Sequence, residues 1–290
     1  MNPLKWKIGE VEIIQILEME ENKIFGSFIP EATPENIKKI NWMTPYFADE
    51  NGILKANVQS FLVKSNGKNI LIDTCNGNGK NRPNVTEWSS LNTDYLEKFK
   101  ENNIDINKID IVVCTHLHFD HVGWNTKLKN GDWVATFPNA KYLFSKGEYD
   151  YWVKRPENEM VDDLNGIDDS VSPVVEAGLA EFVEDDYQID NNIRFIPSPG
   201  HTPHHISVMI DSERQKALIS GDFVHHPCQI TNQDWNSGAD TYSEQTIETR
   251  KKILREIKDS NVLLIGNHFA NPVAGYVVSD NENLIFKPEK

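Results

Sequence analysis

The sequence predicts a mixed α and β fold in which sheets are covered by helices rather than an all-β barrel. Short apolar runs with strand-like alternation recur along the chain, and segments with apolar residues on one helical side separate them. Neither an internal repeat nor a Pro/Gly/Ser linker divides the 290 residues, so a single domain over residues 1–290 with loop insertions is expected. A hydrophobic fraction of 39% with 25% charged residues suits a folded globular chain. No apolar run approaches the ~18 residues a membrane span requires.

In chain order, strands are expected at residues 11–17, 58–63, 69–72, 109–114, 141–144, 193–196, 206–210, 217–220 and 262–265, where apolar residues alternate or form short runs. A helix is expected over 90–102, with Leu91, Tyr95, Leu96 and Phe99 on one side, and another over 171–183, with Val174, Val175, Leu179 and Phe182. A third, over 241–259, begins with Thr241 and Glu244 at capping-box spacing and turns Ile247, Ile253, Leu254 and Ile257 inward. Residues 20–55 form a long, aromatic-rich insertion carrying Phe25, Phe28, Trp42, Tyr46 and Phe47. Such loops serve as lids or as packing surfaces for the body or a second subunit, which admits a homodimer.

Lys and Arg total 29 against 44 Asp and Glu, a net charge of −15 that opposes binding to nucleic acid and to multiply charged anions. The first ten residues lack a basic-then-apolar leader. Cys75, Cys114 and Cys228 show no paired metal-binding spacing and suit a reducing compartment, so a cytoplasmic location is expected.

The chemistry concentrates after the strand at 109–114, where His116, His118, Asp120 and His121 fall within six positions. In extended chain, alternate residues face one side, so His116 and His118 can grip one ion while the following turn carries Asp120 and His121 toward a second. Further candidates follow other strands: His201 in Pro199-Gly200-His201-Thr202-Pro203, Asp222 after Gly221, and His268 after Gly266-Asn267. Short strands that each end in a turn bearing an imidazole or carboxylate are expected to converge on one rim.

These motifs, with the strand-ending Asp73 in Leu71-Ile72-Asp73-Thr74, resemble those of the metallo-β-lactamase superfamily of metallohydrolases. The resemblance implies an α+β four-layer αββα sandwich, the metallo-β-lactamase fold. It implies that His116, His118 and His201 hold one divalent metal, that Asp120, His121 and His268 hold another, and that Asp222 bridges them. Asp73 would orient the histidine loop, and His205 would hydrogen-bond near the site without ligating; His204 and Cys75 stand where the family often has Gly. Zinc is the expected metal, although iron, manganese or cobalt suits the same donors. A hydroxide bridging the two ions would be the nucleophile, with Asp120 accepting its remaining proton.

His225 stands where acyl-homoserine lactonases, similar here in His118-Phe119-Asp120-His121, carry a substrate-contacting Tyr. It is a candidate to donate to the oxyanion or to protonate a leaving oxygen, the alternative being a loop histidine bonded to backbone. Trp124, Trp152 and Trp235 are candidates for a pocket lining. The function expected is hydrolysis of small neutral esters or lactones, with preference for larger apolar acyl or aryl groups and Trp42 reading their size. Phosphotriester hydrolysis, as in methyl parathion hydrolases, is the alternative on the same site, and β-lactam and thioester hydrolysis are weaker ones. A basic C-terminal tail of the glyoxalase II type is absent, and His118 replaces the Glu of flavodiiron relatives. A metal-binding protein without turnover is the remaining, non-enzymatic reading.

Overall fold

The computed structural model describes residues 3–289. The strands are, in order, β1 (Lys5–Ile8), β2 (Val11–Glu21), β3 (Ala56–Ser65), β4 (Lys68–Ile72), β5 (Ile111–Val113), β6 (Thr126–Lys129), β7 (Asp132–Ala135), β8 (Lys141–Ser145), β9 (Ala180–Val183), β10 (Ile193–Pro197), β11 (Ile206–Ser212), β12 (Gln215–Ile219), β13 (Val262–Ile265), β14 (Ala274–Asp280) and β15 (Asn283–Pro288). One sheet has the order β1-β2-β3-β4-β5-β8-β9 and the other β10-β11-β12-β13-β14-β15; β6 and β7 form a separate ribbon.

Strand alternation sorts the side chains into layers. Ile13, Phe61, Val63, Ile70, Ile72 and Val113 of the first sheet pack against Phe195, Val208, Ile210, Ile219 and Ile265 of the second. The alternate residues Ile14, Leu62, Leu71, Val112 and Tyr142 face outward, where Tyr95 and Phe99 of helix Tyr95–Glu101 cover them. On the far side Leu218, Leu264, Val277 and Phe286 lie under Ile253, Leu254 and Ile257 of helix Ser243–Ile257. This is the αββα sandwich.

β4, β5 and β8 are mutually parallel, and so are β12 and β13. β10 and β12 are each antiparallel to the intervening β11 and therefore run together. The residues following β4, β5, β10, β12 and β13 are thus delivered to one rim, and these are the segments holding Asp73, His116–His121, His201, Asp222 and His268.

Three expected helices differ in extent. The segment expected as one helix over 171–183 is a helix end followed by a strand. Helix Val161–Gly166 continues through a π-turn at Ile167–Val171 into Ser172–Glu176; Gly178, at φ +71°, stops it, and β9 then pairs with β8. Val174 and Phe182 therefore share a spacing by coincidence. The helix expected from residue 90 begins at Tyr95, because Ser90 (φ +53°) donates its N–H to Lys80 and the Ser89 hydroxyl accepts from Arg82. The capping box at Thr241 and Glu244 does not form. Thr241 gives its hydroxyl to Glu159 and its N–H to the His201 carbonyl, leaving Ser243 as the first helical residue.

Residues 20–55 are a folded layer rather than an open loop. Glu20 and Glu21 end β2, Phe25–Phe28 is a 3₁₀ turn, Pro34–Ile37 a helical turn, and Ala48 bridges Leu54. Ile29, Ile37, Met43, Phe47 and Leu54 are buried over the second sheet, and His226 Nε2 pins the segment by donating to the carbonyls of Phe47 and Lys55.

Candidate metal centre

The rim residues converge on a buried polar floor. His116, His118 and His201 form one triad of possible ligand atoms, all within 4.8 Å of one another, and Asp120, His121 and His268 form another. Asp222 lies between them: its Oδ2 is 3.2 Å from Nε2 of His121, 3.2 Å from Nε2 of His268 and 3.6 Å from Nε2 of His201. Its Oδ1 is buried without a hydrogen-bond partner among the described residues.

Each element of the floor is held from behind. Asp73, at φ +55° just past β4, accepts from the Thr115 N–H (2.7 Å) and hydroxyl (2.9 Å), from His121 Nδ1 (2.9 Å) and from the Asn267 amide (2.6 Å). One carboxylate thereby ties the histidine loop to the loop bearing His268. His268 Nδ1 donates to the Asn57 carbonyl (3.0 Å) and His201 Nδ1 to Asp240 (2.9 Å). Glu148 is buried and accepts from the backbone N–H of Leu117 (3.3 Å), from that of His204 (3.1 Å) and from Trp152 (2.7 Å), joining the loops of His118 and His201. His205 Nε2 accepts the Asp222 N–H at 2.7 Å, outside the triads. Gly221, at φ +55°, permits that approach, since a Cβ there would stand 2.4 Å from His205 Nε2. Carboxylates and carbonyls behind ligating imidazoles commonly contribute ~10–100-fold in metal affinity or activity.

The donor set fits a pair of divalent ions. Thr115 Oγ1 donates to Asp73 and so accepts from His116 Nδ1, while His201 Nδ1 serves Asp240; the Nε2 lone pairs of His116 and His201 are left facing each other at 3.1 Å. Burial and the surrounding imidazoles, His121 and His118 foremost, hold His116 well below the usual histidine range, and burial with His118 does the same for His201. Two neutral nitrogens in that opposition repel. Nitrogens sharing one cation at ~2.0–2.1 Å each stand at about this separation, so a cation relieves it. The Nε2 atoms of His121 and His268 are also 3.1 Å apart. Burial opposes positive charge on both rings, but Asp222 and Asp120 outweigh it and raise both, with Asp73 adding to the effect at His121. That half of the floor draws positive charge, with the Asp222 carboxylate buried beside it.

His225 sits over this floor. Its Nε2 is 3.3 Å from Asp222 Oδ2 without hydrogen-bond geometry, its ring is 4.6 Å from that of His201, and neither nitrogen has a hydrogen-bond partner among the described residues. The backbone-bonded alternative describes His226 instead.

Above the floor stands an apolar wall of Phe25, Phe28, Trp88, Phe119 and Met160. The expected tryptophans are elsewhere. Trp124 donates to Glu18 and stacks on Tyr95, Trp152 donates to Glu148 and backs His118, and Trp235 packs over the second sheet. Of the aromatics in 20–55, Phe25 and Phe28 line the cavity. Trp42 packs on Phe47, Phe47 packs on Phe286, and Tyr46 is 52% exposed, so the expected size-reading role of Trp42 is lost. Sequence reasoning also missed Trp88, Glu148, Asp163 and Asp240, which occupy no recognisable spacing.

Residues 55–268 match the family model described as the metallo-beta-lactamase superfamily. The chain belongs to that superfamily. Among curated relatives, a beta-lactamase-like protein 2 homolog from Caenorhabditis elegans is 28% identical over 57% of this chain and 43% of its own length. An N-acyl homoserine lactonase from Bacillus cereus is 24% identical over 37% and 35%. The chain thus spans less than half the length of these curated relatives. Among solved structures, AidC, a dizinc quorum-quenching lactonase in complex with a product, superposes with a TM-score of 0.80 at 22% identity over 100% of this chain and 98% of that one. The hydrolase AbOPH of the beta lactamase superfamily gives 0.82 at 22% over the same shares. These likenesses concern the fold. No helix among the described residues is long and apolar enough to cross a membrane, and Cys75, Cys114 and Cys228 are buried and unpaired.

Proposed function

We propose that this one domain is a metal-dependent hydrolase of small neutral esters or lactones, with His116, His118 and His201 holding one divalent ion, Asp120, His121 and His268 the other, and Asp222 shared between them. The observation carrying the proposal is the junction of an apolar wall with a floor whose imidazole Nε2 atoms face one another in pairs around Asp222. The relatives named as lactonases support the substrate class.

When bound, the ions supply Lewis acidity and a water acidified toward neutrality, for which zinc is the expected metal. The chain's own residues do the rest. Asp120, with Oδ2 3.5 Å from His268 Nε2, takes the proton of the attacking water and orients its lone pair toward the acyl carbon. His225, whose ring nitrogens have no hydrogen-bond partner among the described residues, donates to the oxygen on which charge develops. Phe25, Phe28, Trp88, Phe119 and Met160 hold the acyl or aryl group and exclude water.

The test is hydrolysis of a panel of γ-lactones, aryl esters and phosphotriesters by zinc-loaded protein, before and after chelation. Turnover of lactones or carboxylic esters that chelation abolishes and zinc restores is expected. Turnover confined to phosphotriesters would move the activity to the alternative substrate class, and no turnover of any would leave a metal-binding protein.

A further inference from the structure

Asp163 is 2% exposed yet lines the cavity beside Met160 and Phe119. One of its oxygens accepts the Phe119 backbone N–H at 3.1 Å. It belongs to none of the ligand triads, and among the described residues it makes no ion pair: the nearby Arg82 is committed to Asp169, which it grips with both terminal nitrogens at 2.8 and 3.1 Å. Its neighbour Asp162 has an evident structural task, accepting from the backbone N–H groups of Asn84 and Val85. Among the described residues the Asp163 carboxylate has only the one bond. Burial pushes its carboxyl up to about 6. A carboxylate buried in the wall of a binding cavity, with acceptor capacity unspent, marks a recognition group.

Resting on the hydrolase reading above, we infer that Asp163 is a specificity-determining residue that accepts a hydrogen bond from a neutral N–H on the substrate, beside the group being hydrolysed. It is the acidic acceptor in the otherwise apolar part of the wall, so a ligand that buries its N–H there without Asp163 would leave that donor unpaired. A neutral donor is favoured over an ammonium because the floor beside it is built to hold two divalent cations.

Three γ-butyrolactones test this, each with the same acyl chain at the α-carbon, attached through an N–H amide, an N-methyl amide, or a ketone with CH₂ in place of N–H. For the zinc-loaded wild type, kcat/KM should be at least tenfold higher for the N–H compound than for either analogue. Asp163→Asn, nearly the same shape, presents an amide N–H to the substrate if its oxygen keeps the Phe119 bond, and should reduce that ratio to near one with zinc content retained. A wild-type ratio near one overturns the inference without any variant, as does a ratio that persists in Asp163→Asn. Failure of the wild type to hydrolyse all three lactones would count against the hydrolase reading itself, and the inference would fall with it.

Discussion

The floor and the wall of the cavity are built in opposite ways. The floor residues stand on loops that follow strands, and three of their imidazoles are braced by a buried acceptor, His121 by Asp73, His201 by Asp240 and His268 by the Asn57 carbonyl. Apart from Phe119, which the histidine loop itself contributes, the wall comes from segments that share no sheet: the 3₁₀ turn Phe25–Phe28, Trp88 in a turn, and Met160 before the helix that passes into a π-turn. A floor so braced fixes chemistry. A wall of separate turns can be altered piece by piece, so under the proposed function reaction type would reside in the floor and substrate choice in the wall.

The sharpest way to break this division is Asp120→Asn. The amide cannot take up a proton from the attacking water, and the rate should fall by about 10²–10⁴-fold while metal content changes far less. Loss of metal in proportion to activity would make Asp120 a ligand only. Next come two substitutions next to the floor that separate holding from reacting. His225→Ala should lower turnover by roughly tenfold to a hundredfold with metal retained, whereas Asp240→Asn should weaken zinc affinity by ~10–100-fold through the orientation of His201. If His225→Ala left the rate and its pH profile unchanged, His225 would have no part in the reaction. The smallest effect belongs to the wall. Phe28→Ala should lower kcat/KM for long-chain lactones by about tenfold, the equivalent of ~1.4 kcal/mol of apolar contact, and flatten its rise with chain length. Trp42→Ala should leave that rise intact and cost ~1–3 kcal/mol of stability instead, measurable by denaturant unfolding.

The same contrast explains what the sequence disclosed. His116, His118, Asp120 and His121 declare themselves because local spacing carries the information, and His201, Asp222 and His268 each follow a short apolar strand and a glycine-containing turn. Nine of the fifteen strands are readable in the same way, since alternation is local, whereas β1, β6, β7, β9, β14 and β15 are not among those expected. The wall has no such signature. Phe28 and Trp42 sit in one aromatic stretch, and only the path of residues 20–55 over the second sheet sends Phe28 to the cavity and Trp42 to Phe47. Asp240 reads as one more loop acid until folding brings it to His201 Nδ1, 39 residues away in sequence. The helix assigned through Phe182 failed for a related reason: helix and strand periods overlap across a short segment, and pairing with β8 decided the outcome.

The central claim is that the two triads work as one centre through Asp222. Zinc titrated into metal-free protein, with bound metal and lactone turnover measured on the same samples, tests it most directly. The account predicts two ions per chain and a rate that follows the doubly loaded form. Full turnover at one ion per chain would contradict it.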